Sequence, residues 1–233
     1  MPTTCPATLS AVAPSPARTA WCLLQVSVVF ALVYMAANHL TSLRSDIGVG
    51  VFAWEHAIPF VEWTVVPYLS IFLLLPLSFF ACADSDELAR YVRRLWLALA
   101  LAAACYAAFP LGFHFDRPVP QGPFAPLFSM LWAVDLPYNR APSLHIVVLL
   151  LMWPRLLARV AATWQRGLLH GWLAAIGVSV LTTYQHHVID IAGGVAVATA
   201  CWALTRRGGW LAPRLALASR AMQGLRVAAV PAN

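Results

Sequence analysis

Three polar residues in the second half of the chain have types and spacings suited to phosphoryl transfer. His186 and Asp190 lie four residues apart in "HHVIDIAGG", so a helix would place them on one face. A carboxylate that accepts a hydrogen bond from imidazole Nδ1 fixes the tautomer and leaves Nε2 as a nucleophile. His145, in "APSLH", is a second imidazole that can protonate a leaving oxygen. These three residues are the candidate catalytic group.

A phosphate-binding site is predicted where the fourth apolar segment begins. Pro142 and Ser143 precede His145 there, and proline is favoured in the first turn of a helix. A helix start directs free N–H groups and a partial positive charge outward, which suits a phosphate. Ser143 adds a hydroxyl, and Arg117 and Arg140 add guanidinium groups that match phosphate geometry. We therefore expect Ser143, Arg117 and Arg140 to bind phosphate.

The composition indicates that a membrane surrounds these residues. Of 233 residues, 61% are hydrophobic and only 10% are charged, whereas soluble domains carry about 25% charged residues. The net charge of +6 does not indicate nucleic-acid binding, because the basic residues are arginines in short stretches between apolar runs. We exclude nucleic acid as a partner and expect contact with membrane lipids.

Six apolar runs are each long enough to cross a hydrocarbon core of about 30 Å as a helix. The predicted fold class is therefore all-α, a polytopic membrane helical bundle of about six transmembrane helices. Residues 1–19 are predicted to be a disordered lead, 20–205 the membrane catalytic domain, and 206–233 a basic tail. The six runs are 20–40, 61–82, 95–113, 142–160, 167–185 and 187–205.

The arginines predict an orientation in the membrane. Twelve of the fifteen fall on one side of the predicted spans, and Arg44, Arg117 and Arg140 fall on the other. Basic segments remain cytoplasmic, so both termini are expected inside a plasma or bacterial inner membrane. The connections 41–60, 114–141 and 185–187 then face outward and carry the candidate site. Glu55, His56 and Glu62 can touch a lipid head group there, although ordinary interfacial polarity is the favoured interpretation.

The segments "DRP", "PSLH" and "HHVIDIAGG" resemble the three signatures of the type-2 phosphatidic-acid phosphatase superfamily. The resemblance implies a six-span fold in which His186 attacks phosphorus, Asp190 orients it and His145 protonates the leaving group. It also implies that Arg117 and Ser143 hold phosphate oxygens. No metal or other cofactor is expected, since arginines and a helix terminus supply the positive field.

Two positions depart from the family pattern. Pro110 stands where the first signature has a lysine, and Val180 stands where the third has an arginine. We hypothesise that Arg140 or His114 substitutes for a missing cation. With Leu144 inside "PSLH" and the doubled histidine, these departures make the chain similar to the inositol-phosphorylceramide and sphingomyelin synthase branch.

The expected function is a membrane lipid-phosphate or lipid-diphosphate phosphatase with a phosphohistidine intermediate. Its substrate would be a lipid phosphate or a polyprenyl diphosphate. The first alternative is a lipid head-group phosphotransferase, which differs only in the acceptor. Alternatives of another class are a non-catalytic scaffold and a haem-binding or proton-conducting protein, with His39, His145, His170 and His186 as candidates. The sequence does not specify the oligomeric state.

Overall fold

The computed structural model describes residues 12–134 and 138–206. The predicted tail beyond Arg206, with most of the predicted lead, lies outside these residues. The described part contains two 3₁₀ helices, Ala53–Ala57 and Glu62–Thr64, and seven α-helices. The α-helices are α1 (Pro16–Ser42), α2 (Val65–Phe80), α3 (Ser85–Ala108), α4 (Ala125–Val134), α5 (Leu144–Ala158), α6 (Thr163–Thr182) and α7 (Val188–Leu204).

Several helices are long and apolar, as expected for a multi-pass membrane protein. Three are long and apolar enough to cross a membrane: Pro16–Ser42, Glu62–Phe80 and Ser85–Ala108. Helices α5 and α7 are apolar but shorter. The 15 residues of α5 span about 22 Å at the α-helical rise. The prediction of an all-α chain with several apolar helices is confirmed.

Three helices begin earlier than predicted: α6 begins at Thr163 and not at residue 167, and the early starts of α1 and α3 each have a local cause. Helix α1 begins at Pro16 and not at residue 20, because the Ser15 side chain caps Arg18 N and proline is favoured at the first position. Helix α3 begins at Ser85 and not at residue 95, because Asp84 accepts from Glu87 N at 2.6 Å. Acidic residues in its first turn favour the helix further.

The predicted connection 114–141 contains a helix that the apolar runs did not predict. Helix α4 is a ten-residue apolar helix, Ala125–Val134, which falls between two proline-containing segments. Just before this connection, at the end of the predicted span 95–113, lies the short strand β2 (Leu111–Gly112), which pairs in parallel with β1 (Gly48–Val49). The two-residue ladder links the connections that follow α1 and α3.

The helices other than α4 alternate in direction along the chain. The connections that follow α1, α3 and α6 therefore meet at one end of the bundle. There, Val61 N donates to Thr182 O at 2.8 Å, and Gly48 N donates to Pro110 O at 2.9 Å. Thr41 Oγ1 also donates to Asn139 Oδ1 at 2.7 Å. We call this end the polar end; its residues are 43–64, 109–117, 138–143 and 183–187.

Arginines pack against helix ends at the opposite end of the bundle. Arg159 donates to Ala81 O and Cys82 O, both at 2.8 Å, and so satisfies carbonyls that end α2. Arg94 donates to Thr205 Oγ1 at 2.7 Å, and its guanidinium lies 3.6 Å from the Trp202 ring centre. Arg94 was predicted to lie in a loop, but it belongs to α3 and is buried.

Candidate active site

The link between α6 and α7 presents His186 at the polar end. Helix α6 ends at Thr182, and Tyr184, two residues later, has a φ of 53°, which places it in the left-handed region. The next two amides then return to the helix: Gln185 N and His186 N donate to Val180 O at 3.1 and 2.9 Å. This C-terminal turn fixes the backbone before His186. The Val180 side chain is fully buried, so the position where the resemblance expects a cation belongs to the apolar core.

His186 and Asp190 are hydrogen-bonded, but not by the geometry that was predicted. His186 precedes α7, and His187 is the N-cap, so the two residues do not stack along one helix face. Asp190 instead occupies the first turn, where Oδ2 accepts from His187 N at 2.8 Å and lies 3.2 Å from His186 Nδ1. Asp190 is 1% exposed and His186 9%. A proton on Nδ1 would leave His186 Nε2 with its lone pair.

Ser143 occupies the N-cap of α5. Its Oγ accepts from Ile146 N at 3.4 Å. Pro142 therefore lies one residue before the cap, whereas the prediction placed it in the first helical turn. Ser143 N donates to Asp190 O at 2.9 Å, which joins the starts of α5 and α7 through their backbones. The Ser143 side chain is fully buried, and capping leaves its hydroxyl hydrogen as the group that can donate to a phosphate oxygen.

Two glycines allow these helix starts to approach. A Cβ on Gly193 would lie 3.2 Å from Pro142 Cα, and one on Gly194 would lie 2.8 Å from Ser143 O. The second distance is shorter than real Cβ contacts, so any larger residue at position 194 would separate α7 from α5. Small residues at helix contacts let two backbones approach in this way.

His145 lies in the first turn of α5, close to the His186–Asp190 pair. Its ring stacks on Tyr68 of α2 with centroids 4.2 Å apart and an interplanar angle of 18°. Its Nε2 is buried and has no hydrogen-bond partner among residues 12–134 and 138–206. Ser143, two residues before His145, donates its N–H to Asp190 O at 2.9 Å, which places the start of α5 beside the His186–Asp190 pair.

Arg140 donates a hydrogen bond to the carbonyl of the residue before His186. Its Nη1 donates to Gln185 O at 2.8 Å, and its own amide donates to Leu111 O at 3.3 Å. The side chain is 1% exposed. A buried guanidinium bonded to the carbonyl directly before His186 places positive charge beside that residue.

Arg117 approaches the same region from the preceding connection. Its guanidinium carbon lies 5.7 Å from the Phe113 ring centre and 5.5 Å from that of Trp132. The Arg140 guanidinium carbon is also 5.7 Å from the Phe113 ring. Two guanidinium groups therefore flank one phenyl ring at the polar end.

His114, the other residue considered as a substitute cation, faces outward. Its side chain is exposed and lines an open groove of about 430 Å³. The other lining residues are His56, Phe115, Asp116 and Tyr184. The groove combines two imidazoles and a carboxylate with aromatic walls, and it lies beside the segment that contacts His187.

Glu55 and His187 form a buried pair that the sequence pattern did not predict. Glu55 was interpreted as an interfacial residue, but both side chains are 1% exposed, and Glu55 Oε2 lies 3.1 Å from His187 Nδ1. Burial lowers the pKa of His187, while the carboxylates of Asp190 and Glu55 act in the opposite direction. The doubled histidine was the signal in the sequence, but nothing there identified a partner 132 residues away.

Two of the four histidines considered for haem or proton conduction, His170 and His39, lie outside the group that contains His145 and His186. His170 accepts from Trp153 Nε1 at 3.0 Å in the half of α6 remote from the polar end, and His39 is exposed on α1. Within the described ranges, no three His, Cys, Asp or Glu side chains are grouped so that they could hold a metal ion.

No protein-family model, no curated protein and no solved structure matches the chain.

Proposed function

We propose that the chain is a membrane lipid-phosphate or lipid-diphosphate phosphatase that acts through a phosphohistidine on His186. The observation that carries the proposal is the His186 Nδ1–Asp190 Oδ2 contact of 3.2 Å. It occurs where the starts of α5 and α7 are bonded to each other. Imidazole held by a carboxylate beside a helix N-terminus combines a nucleophile with an anion-binding site. The resemblance to the type-2 phosphatidic-acid phosphatase signatures supports the same reaction.

In the first step, His186 Nε2 attacks phosphorus. The N–P bond forms as the bond from phosphorus to the leaving oxygen breaks, and His145 donates a proton to that oxygen. Asp190 holds the Nδ1 proton and stabilises the positive charge that develops on the ring. General-acid assistance of this kind contributes about 10²–10⁴-fold in rate.

In the second step, water attacks the phosphohistidine. His145, which lost its proton in the first step, now accepts one from water as the new P–O bond forms and the N–P bond breaks. Inorganic phosphate leaves, and both imidazoles return to their starting protonation states. The same two residues therefore serve both halves of the reaction.

Positive charge at the polar end would stabilise the phosphoryl group in both steps. Arg140 and Arg117 provide guanidinium groups, and the first turn of α5 provides N–H groups and the Ser143 hydroxyl. We propose that Arg140 compensates for the cations that are replaced here by Pro110 and Val180. Preorganised donors of this type are each worth about 10²–10³ in kcat.

The proposed setting is a six-span protein with both termini in the cytoplasm and the polar end at the opposite face. The distribution of the arginines supports this orientation. The proposed site then lies at the level of lipid head groups, so a lipid phosphate reaches His186 without leaving the membrane.

The open groove favours a second candidate, phosphoryl transfer to an alcohol. Its lining of His56, His114 and Asp116 offers hydrogen-bonding groups for an acceptor hydroxyl. A transferase would use the same phosphohistidine and would differ only in the attacking oxygen. Phosphate release in the absence of an acceptor alcohol distinguishes the phosphatase from this alternative.

The test is product analysis with purified protein on a panel of lipid phosphates and polyprenyl diphosphates labelled with ³²P. We expect release of inorganic phosphate, an acid-labile and alkali-stable phosphoenzyme, and loss of both in His186→Ala. Full activity in His186→Ala would contradict the proposal and favour the scaffold. Strict dependence on an added alcohol would favour the transferase.

A further inference from the structure

Glu55 lies at the polar end, in the 3₁₀ helix that follows α1, and both oxygens of its carboxylate have hydrogen-bond partners. Oε1 accepts from Phe52 N at 2.9 Å. Oε2 accepts from Val188 N at 3.0 Å and lies 3.1 Å from His187 Nδ1. A carboxylate buried to this degree requires such compensation, and here the compensation comes mainly from the start of α7.

The hydrogen bonds of His187 define its tautomer. His187 Nε2 accepts from His114 N at 3.2 Å, and a backbone N–H can only donate. Nε2 therefore carries the lone pair, and the ring proton lies on Nδ1, from which it is donated to Glu55. The ring is also stacked on Phe113, with centroids 4.6 Å apart and planes inclined by 16°.

The pair is connected to His186 through Asp190. The backbone N–H of His187 donates to Asp190 Oδ2 at 2.8 Å, and the same oxygen lies 3.2 Å from His186 Nδ1. Any rotation of the peptide at position 187 would move the carboxylate that holds His186. Because Glu55 bonds both the His187 ring and the Val188 amide, it opposes that rotation.

We infer that Glu55 and His187 form a positioning pair, in which Glu55 holds His187 so that Asp190 orients the ring of His186. Both ring nitrogens of His187 are engaged by the protein, so His187 does not touch the phosphoryl group. The inference assigns different tasks to the two adjacent histidines. Its effect on rate rests on the proposed function, whereas its effect on the His186 ring does not.

The variants Glu55→Gln and His187→Gln test the pair. An amide at position 55 cannot accept from all three donors, because its nitrogen faces at least one of them. Glutamine at 187 can still accept from His114 N but has no ring proton for Glu55. We expect kcat to fall about 100-fold, as for a small misplacement of reacting groups, with KM changed less than about threefold.

A matched control is Glu87→Gln at the opposite end of the bundle. Glu87 also accepts a backbone hydrogen bond, from Ala83 N at 2.7 Å, but it has no connection to the polar end. Its kcat should equal that of the unmodified protein. In an Asp190→Asn background, Glu55→Gln should add less than about a twofold loss, because residues that act through one network are not additive.

Nitrogen-15 NMR of histidine-labelled protein in detergent micelles provides a readout independent of activity. In the unmodified protein, His187 should show the Nδ1–H tautomer, and in Glu55→Gln the His186 ring signals should shift. Unshifted His186 signals, or an Nε2–H tautomer at His187, would overturn the inference, and the tautomer measurement requires no variant to fold. If the protein lacks phosphatase activity but His186 shifts, the proposed function fails and the positioning pair stands.

Discussion

Ser143 N donates to Asp190 O at 2.9 Å, so the residue that caps α5 is bonded directly to the residue that holds His186. The separation between the proposed acid and the proposed nucleophile is therefore set largely by two backbones in contact. Glycine at positions 193 and 194 permits that contact. Substitutions at these two glycines should therefore disturb the geometry of the site more than that of the rest of the bundle.

Gly194→Ala should destabilise the protein and reduce phosphatase activity. The added Cβ would meet Ser143 O at 2.8 Å and Ile146 Cβ at 3.0 Å, and overpacking of this kind costs about 1–3 kcal/mol. Unfolding in a denaturing detergent, followed by circular dichroism, measures the loss. Gly171→Ala is the control, because its Cβ would meet no atom within 4 Å. Equal stability of the two variants would contradict the close approach of α5 and α7.

His145→Gln should slow the first step, and the loss of rate should be larger for a more basic leaving group. An alkoxide leaving group needs a proton, so its rate should fall about 10²–10⁴-fold. A nitrophenolate leaving group needs little assistance, and its rate should fall much less. Turnover of alkyl and nitrophenyl phosphate substrates measures the difference. His170→Gln, away from the polar end, should leave both rates unchanged, and an equal loss on both substrates would exclude His145 as the acid.

Arg140→Ala should lower kcat/KM by about 10²-fold or more, because it removes a preorganised cation beside His186. Arg140→Lys should restore only part of the activity, since a lysine lacks the planar fork of a guanidinium. Arg44→Ala is the control: Arg44 also lies at the polar end but forms a solvent-exposed ion pair with Asp46. Unchanged activity in Arg140→Ala would count directly against its proposed role.

Acidification should destabilise the protein through His187. The pKa of His187 is lowered by burial from its usual 6.5, so below about 6.5 the unfolded chain binds a proton that the folded protein does not. Stability is therefore complete above that pH and is lost as pH falls towards the folded-state pKa. The groups that face His187 are Glu55, Asp190 and His186.

Thermal unfolding between pH 7.5 and 5 measures this dependence. The fall in Tm should be smaller in His187→Gln, which has no group that titrates at this position. An identical pH dependence in both proteins would show that other groups dominate acid destabilisation.

Local patterns predicted the parts of the structure that have local causes. The apolar runs predicted the positions of α2, α5 and α7 closely, because hydrophobic length is a property of one segment. The start of α3 was missed because three arginines resemble a basic loop, although Arg94 packs on Trp202 inside the bundle. Helix α4 was missed because ten residues are too few to span a membrane.

The contact between His186 and Asp190 could be predicted from the sequence, but not the way the pair is held. The four-residue spacing of His186 and Asp190 predicted their hydrogen bond, while the cap at His187 replaced the expected helical geometry. The partners Thr41 and Asn139, or Glu55 and His187, are about 100 or more residues apart. Such pairs depend on how α1, α3 and α7 pack, which no single segment encodes.

The Glu55–His187 contact has a consequence for how the sequence can change over time. Loss of the imidazole would leave a carboxylate enclosed with two backbone donors and no ring proton, and loss of the carboxylate would leave the ring proton without an acceptor. A protein in which only one of the two residues is replaced is therefore expected to be less stable. The two positions are therefore expected to vary together in homologous chains, as a covarying pair that links the first connection to the last helix.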